Sequence, residues 1–327
     1  MDPDCSDAAD FIAYTPQRII VIVQFAFSLF SVLINCLFYK RWRNKIFFHS
    51  NFRILLWALI ATNIGHSFLL AVLQGSHLFK IYTATNPCDV LVPGIFCYSL
   101  RMPLSACFLA HTTIHLSIVI ERTVAFRNLS TYENRKSWLG TALLALSVAA
   151  AFAMVVYALW NYDFATQQVY CAGVKKETAF ETAAMSYLNV AIEAFTVVML
   201  YFVYRSNKKS DVYDIQSRYQ SRENLAVLRL LMPAVISHFV VYSTSMLCIA
   251  ASSLLRKVIT DRTAMRTFVA GTYILPIYTA FSPLLLWWIL KHHRRTRRLD
   301  LIRMSKKVPN EEYIYFSNYE WNREQIR

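Results

Sequence analysis

Two opposite charges stand alone in long apolar stretches: Arg101 within LRMPLSACFLA and Glu193 within NVAIEAFTVV. A charge at the centre of a membrane helix costs about 2.5–3.5 kcal/mol on insertion scales, so each should face a partner or a polar cavity. The pair reads in two compatible ways, as polar ligand contacts or as a plain interhelical salt bridge. A second opposite-charge pair, Glu121-Arg122, is adjacent in sequence. From the residues alone it reads as two charges in the headgroup region. His66, His111, His115 and His238 lie in apolar stretches, and His111 and His115 are one helical turn apart on one face. Metal-hydrolase spacing adds a carboxylate, as in His-Glu-x-x-His. The run His111-Thr112-Thr113-Ile114-His115 has none. Packing or hydrogen bonding is the reading for these rings, with no metal and no cofactor expected. His111 joins Arg101 and Glu193 as a candidate ligand contact.

Seven windows of about 20 mostly apolar residues, the length that crosses a bilayer, must position these groups. They run from Ile19 to Phe38, Ile54 to Leu73, Pro93 to Ile120, Leu139 to Leu159, Ala183 to Tyr204, Ala226 to Leu247 and Thr267 to Leu290. Residues 1–18 read as an acidic tail and 291–327 as a polar one, leaving 19–290 as a single all-α bundle. The first tail opens on Asp2, Asp4, Asp7 and Asp10, unlike a signal peptide, so span 1 reads as a retained anchor. Counted within its span, Arg101 lies about 12 Å from the outer boundary and Glu193 about 15 Å. These depths match. Pro103, Pro233, Pro276 and Pro283 are kink sites, and Asn35 and Asn63 are expected to hydrogen-bond between helices.

The chain of 327 residues is 56% hydrophobic and 17% charged, yet has a formal net charge of +14. With the N-terminus outside, 25 of the 34 Lys and Arg fall on inside segments, 8 outside, and Arg101 within span 3. That bias sets the N-terminus outside and the C-terminus in the cytosol. So many apolar residues exclude a disordered chain. Nucleic-acid binding is not expected, because the basic run Lys291 to Arg298 abuts span 7. It reads, with Leu299, Leu301, Ile302 and Met304, as an amphipathic helix on the anionic inner leaflet of the bilayer, or as a solvated stop-transfer run.

Cys5, Cys88 and Cys171 fall outside, on the oxidising side. A Cys88–Cys171 bridge is expected to pin the loop between spans 4 and 5 across the mouth of the bundle. Free thiols, or pairing through Cys5 or Cys97, are the alternatives, since spacing alone does not settle connectivity.

Four stretches narrow the class. They are Cys88-Asp89-Val90-Leu91 leading to Cys97 and Leu100-Arg101-Met102-Pro103; Ile118 to Ala125 with Tyr132-Glu133; Arg218 to Asn224 followed by Arg229-Leu230-Leu231-Met232-Pro233; and Tyr315-Phe316 with Glu320-Trp321. In this order they resemble the nematode serpentine chemoreceptors of the Sra superfamily, closest to class alpha/beta (Srab), over nearly the whole chain. The resemblance implies a G-protein-coupled receptor for an odorant or other small molecule, at the plasma membrane of sensory neurons and their cilia. It implies a heterotrimeric G protein as partner. It also gives Glu121 and Arg122 a role, as an ion pair that holds the resting state and frees Arg122 on activation. Rhodopsin-like switches do not carry over: no Tyr follows Arg122, span 6 lacks Cys-Trp-x-Pro, and span 7 has Ser282-Pro283 in place of Asn-Pro-x-x-Tyr. Without a Lys in span 7, a retinal Schiff base is excluded.

The runner-up is a ligand-gated channel of the insect odorant-receptor kind, whose orientation would be opposite. An enzyme is not expected, since a membrane hydrolase would need an acidic and histidine constellation. A transporter would favour paired repeats or Gly-broken half-helices, and only 6 Gly are present.

Overall fold

The computed structural model describes residues 3–45, 48–129, 131–132, 137–171, 178–209, 215–255 and 258–305. The fold is a seven-transmembrane helix bundle. Its helices are α1 (Pro3–Ala13), α2 (Thr15–Trp42), α3 (Ser50–Thr83), α4 (Gly94–Arg127), α5 (Trp138–Ala158), α6 (Ala179–Lys209), α7 (Ile215–Leu255), α8 (Arg262–Thr272) and α9 (Leu275–Ser305). Among the described residues, seven segments are long and apolar enough to span a bilayer: one in each of α2 to α7, and Thr263–His292 across α8 and α9. Hydropathy detects the apolar middle of each helix, and the ordered backbone runs past it. Thus span 5, read as Ala183 to Tyr204, is a helix from Ala179 to Lys209.

Contacts divide the chain into Met1–Leu284 and Leu285–Arg327. In the second unit the α9 backbone is helical to Ser305, with the Trp288 ring 5.9 Å from His292. The rest of the tail, 306–327, including the Tyr315-Phe316 and Glu320-Trp321 motifs, lies outside the described residues.

Within the first unit the core is more polar than that of a soluble bundle. Ser117 and Ser147 hydroxyls meet at 2.7 Å between α4 and α5, and the Thr113 hydroxyl donates to the Ser147 carbonyl at 3.1 Å. The Asn35 amide donates to the Thr279 carbonyl at 3.0 Å, and the Asn63 amide to the Ser282 hydroxyl at 3.4 Å, as expected for interhelical glue. Large apolar side chains such as Leu33, Phe152, Phe202 and Val240 face outward, half or more exposed. That inversion suits hydrocarbon surroundings, where exposing Leu or Phe carries no penalty.

Prolines act in two ways. Pro103, Pro233 and Pro283 sit inside α4, α7 and α9. Pro276 instead opens α9, after Tyr273 has ended α8. At Gly140 the α5 backbone approaches α3 closely. A Cβ there would lie 2.7 Å from both the Cα and the carbonyl oxygen of Asn51. Gly140→Ala is therefore expected to destabilise the bundle by about 1–3 kcal/mol, readable as earlier thermal unfolding in nanodiscs. An unchanged melting temperature would show that the α3–α5 approach is not a constraint.

One end of the bundle is capped. The N-terminal segment is not a free tail, because α1 folds back over the helix ends. Ala8 and Phe11 are buried with Val21, Ile81, Val90, Val169, Tyr170 and Ala270 in one apolar cluster. Asp7 pairs with Arg266 of α8 at 3.1 Å. A two-stranded antiparallel ladder, β1 (Val92–Pro93) with β2 (Gln167–Gln168), pairs Val92 with Gln168 and lays the α5–α6 connection against the start of α4.

Candidate functional site

The disulfides differ from expectation. Cys5 of α1 bonds Cys88, and Cys97 in the first turn of α4 bonds Cys171. The Cys88–Cys171 bridge is thus corrected to two bridges. The reason lies in α1: its return over the helix ends brings Cys5 to Cys88, and the strand pairing then sets Cys171 beside Cys97. Cys36, Cys107 and Cys248 are free.

Cys97 and Arg101 are four residues apart and so share one face of α4. Both meet Cys171. The Arg101 Nε donates to the Cys171 carbonyl at 2.7 Å, while the Cys171 N–H donates to His77 Nε2 at 3.3 Å. Arg101 also lines a cavity of about 150 Å³ with Leu104, Phe108, Met185, Met246 and Tyr273. A polar rim borders it: the Gln24 amide donates to the Ala270 carbonyl at 2.7 Å, and the Gln74 amide donates to Gln24 Oε1 at 2.6 Å and the Tyr170 hydroxyl at 3.1 Å. Ser105, Thr182, Ser186 and Arg266 add further polar groups to a wall that is mostly apolar and aromatic, which suits a small, largely apolar occupant with a few polar groups.

Glu193 and His111 do not line this cavity. Nor does Glu193 meet Arg101. Its Oε1 lies 2.9 Å from His238 Nδ1 on α7, and it groups with His115 of α4. His115 is fourteen residues past Arg101, about 21 Å along the helix axis. The matched depths fail because they were counted from apolar edges rather than from helix starts. His111, His115 and His238 do converge: the His115 and His238 rings are 4.1 Å apart, and those of His111 and His238 5.6 Å. Glu193, from a third helix, supplies the carboxylate that the local His-x-x-x-His run lacks.

A third cluster lies at the other end of α4. Both Glu121 oxygens accept from the Arg122 guanidinium, and the Tyr132 hydroxyl donates to the same carboxylate. Successive helix residues point about 100° apart, so the contact depends on the reach of the arginine. The Asn51 amide of α3 donates to the Tyr132 oxygen at 3.1 Å, and Asn51 Oδ1 accepts from the Gly140 N–H at 2.9 Å. Arg122 is also held by Asn224 of α7: its Nη1 donates to Oδ1 at 3.5 Å, and the Asn224 amide returns a bond to the Arg122 carbonyl at 3.4 Å. Its guanidinium carbon sits 5.2 Å over the Phe52 ring. Glu121 is 0% and Arg122 2% exposed, so they are buried charges rather than headgroup ones. Burial, then the Glu121 charge, raises the Tyr132 hydroxyl well above the ordinary tyrosine pKa, which keeps it a donor. Tyr132 and Asn224 belong to motif stretches already distinctive in sequence, but nothing there pointed to Arg122. Asn51 carried no signal.

A family model described as a serpentine type 7TM GPCR receptor class ab chemoreceptor matches residues 2–324. The chain belongs to this family. Serpentine receptor class alpha-39 of Caenorhabditis elegans is 22% identical over 292 residues, 86% of this chain and 77% of its own. Serpentine receptor class alpha/beta-14 is 23% identical over 302 residues, 86% of this chain and 76% of its own. Serpentine receptor class beta-17 is 26% identical over 205 residues, 59% of this chain and 55% of its own. All three are from the same nematode. The class ab chemoreceptor is thus a multi-pass membrane protein of a non-enzyme receptor family. Its α4 links the Arg101 cavity, the histidine–glutamate cluster and the Glu121–Arg122 pair on one helix.

Proposed function

We propose that this chemoreceptor lies in the plasma membrane with its N-terminus outside and its C-terminus in the cytosol. There it binds an odorant or other small molecule in the Arg101 cavity and activates a heterotrimeric G protein through the Glu121–Arg122 end. Sensory-neuron cilia are the site this reading implies. Two observations support the orientation. Lys and Arg are concentrated on the segments that would face the cytosol. Both disulfides, which need an oxidising compartment, gather at the end capped by α1.

The observation that carries the ligand reading is the placement of Arg101, a cation well inside span 3 and a wall residue of a mostly apolar cavity. Its cationic head favours a ligand with a hydrogen-bond acceptor or an acidic group on a largely apolar body. Activation then follows from α4 itself. Arg101 and Arg122 are twenty-one residues, about 32 Å, apart on one continuous helix. A ligand that binds better to a shifted or rotated α4 will bias the population in which Arg122 leaves Glu121.

The test is expression in cultured cells with a tag at each end, followed by second-messenger and current recordings against an odorant panel. A ligand-evoked second-messenger signal is expected. Arg101→Ala should weaken it tenfold or more, about 1.4 kcal/mol or above, with surface expression retained. An extracellular C-terminal tag, a ligand-gated current independent of G protein, or an unchanged Arg101→Ala response would each overturn part of this assignment.

A further inference from the structure

We infer that His115, Glu193 and His238 form a divalent transition-metal site of the zinc class, clamping α4, α6 and α7 in the interior of the bundle. Each residue comes from a different helix, and each offers one ligand atom. These atoms all lie within 4.8 Å of one another. All three side chains are buried, at 2%, 0% and 0% exposure.

The donor set matches the chemistry. Two imidazoles and a carboxylate are ligands that zinc accepts, with bonds near 2.0–2.2 Å and a fourth position left for water. Tetrahedral bonds of that length put ligand atoms about 3.3 Å apart. The widest edge of the trio would therefore close by at most about 1.5 Å, and the Glu193–His238 edge is already 2.9 Å. Calcium and magnesium, which favour all-oxygen shells, are poor fits.

The second observation is the unmet hydrogen-bonding demand around the trio. Both Glu193 oxygens, both His238 nitrogens and His115 Nδ1 are buried with no hydrogen-bond partner, and the 2.9 Å Glu193–His238 contact lacks hydrogen-bond geometry. A buried carboxylate in this state is costly unless a cation faces it. A proton shared between Glu193 and His238 would engage only one atom of each and leave His115 unengaged. A metal engages all three residues at once. His111 sits beside the site, its ring stacked 5.6 Å from His238 and both its nitrogens unpartnered. It is placed to take a hydrogen bond from a metal-bound water, the supporting role that orients such sites. Tyr242 and Tyr278, whose ring centroids are 3.7 and 5.5 Å from that of His238, wall the site.

The test uses the full-length receptor, purified into nanodiscs and stripped with a chelator. Zinc chloride alone is titrated calorimetrically, and metal content is measured after dialysis. The expected result is one zinc per chain, with a melting temperature that rises on loading. His115→Ala with His238→Ala should weaken binding about 100-fold or more. Glu193→Gln, which preserves volume, gives the same readout if the histidine variant does not fold. Truncation after Leu290, which removes the His292-His293 pair, should leave binding intact. X-ray absorption at the zinc edge should count two imidazoles and a carboxylate oxygen in the metal's shell. No saturable zinc binding, binding unchanged in Glu193→Gln, or binding lost with the tail would each overturn the site. None of these readouts depends on an odorant or a G protein.

Discussion

Glu121→Gln is expected to destabilise the receptor by about 3–5 kcal/mol, the usual cost of removing one partner from a buried ion pair. Arg122 would remain 2% exposed and lose the carboxylate that accepts from both its Nε and its Nη2, while keeping the Asn224 oxygen at 3.5 Å and the Phe52 ring at 5.2 Å among its contacts. Glutamine keeps the shape but offers one acceptor oxygen where the carboxylate serves Arg122 twice and Tyr132 once. The loss would appear as a lowered melting temperature in nanodiscs. It should be accompanied by raised second-messenger output without ligand, because the carboxylate that holds the Arg122 guanidinium is gone. Glu121→Leu combined with Arg122→Met should recover most of the stability, since an apolar pair of similar volume removes the desolvation cost on both sides. That double variant should nonetheless be silent to ligand. A loss below about 1 kcal/mol in Glu121→Gln, the scale of an exposed pair, would mean that the charges are solvated and the lock does not exist.

Cys171→Ser is the second large effect. The Cys97–Cys171 bridge closes a separation of 74 residues. Chain-entropy estimates place a loop of that size at about 4 kcal/mol. The bridge also sets the Cys171 carbonyl on Arg101. Cys171→Ser should therefore abolish surface expression or the ligand response, and Cys97→Ser should do the same. Cys5→Ser and Cys88→Ser should match each other, because they free α1 from the cap while leaving the cavity wall in place. Peptide mapping under non-reducing conditions should recover the 5–88 and 97–171 pairs. A Cys88–Cys171 peptide would show that the cap is assembled differently.

Much of this protein is written in local sequence. The length and apolarity of each span set seven membrane helices, because backbone groups in hydrocarbon must be satisfied within their own segment. The asymmetry of Lys and Arg carries the orientation reading. Motif stretches around Arg101, Arg122 and Asn224 were enough to point to the family, which the full-length match then showed. Adjacent Glu121 and Arg122 were visible as a pair.

What the tertiary structure decided concerns partners from distant segments. Hydropathy has no information about where the polar ends of a helix stop, so Arg101 and Glu193 looked level, when Arg101 and the His115 that Glu193 groups with lie about 21 Å apart along α4. Disulfide connectivity depended on α1 folding back, which no apolar period signals. The carboxylate for His115 and His238 comes from α6, and helical periodicity on α4 reports only residues within its own turns. Burial of Glu121 and Arg122 came from α3, α7 and Tyr132 closing around them. Sequence alone determined which segments cross the membrane, because that is a transfer free energy summed along one helix. Only the packed bundle decided which polar groups face each other, because that depends on how helices rotate and stack against one another.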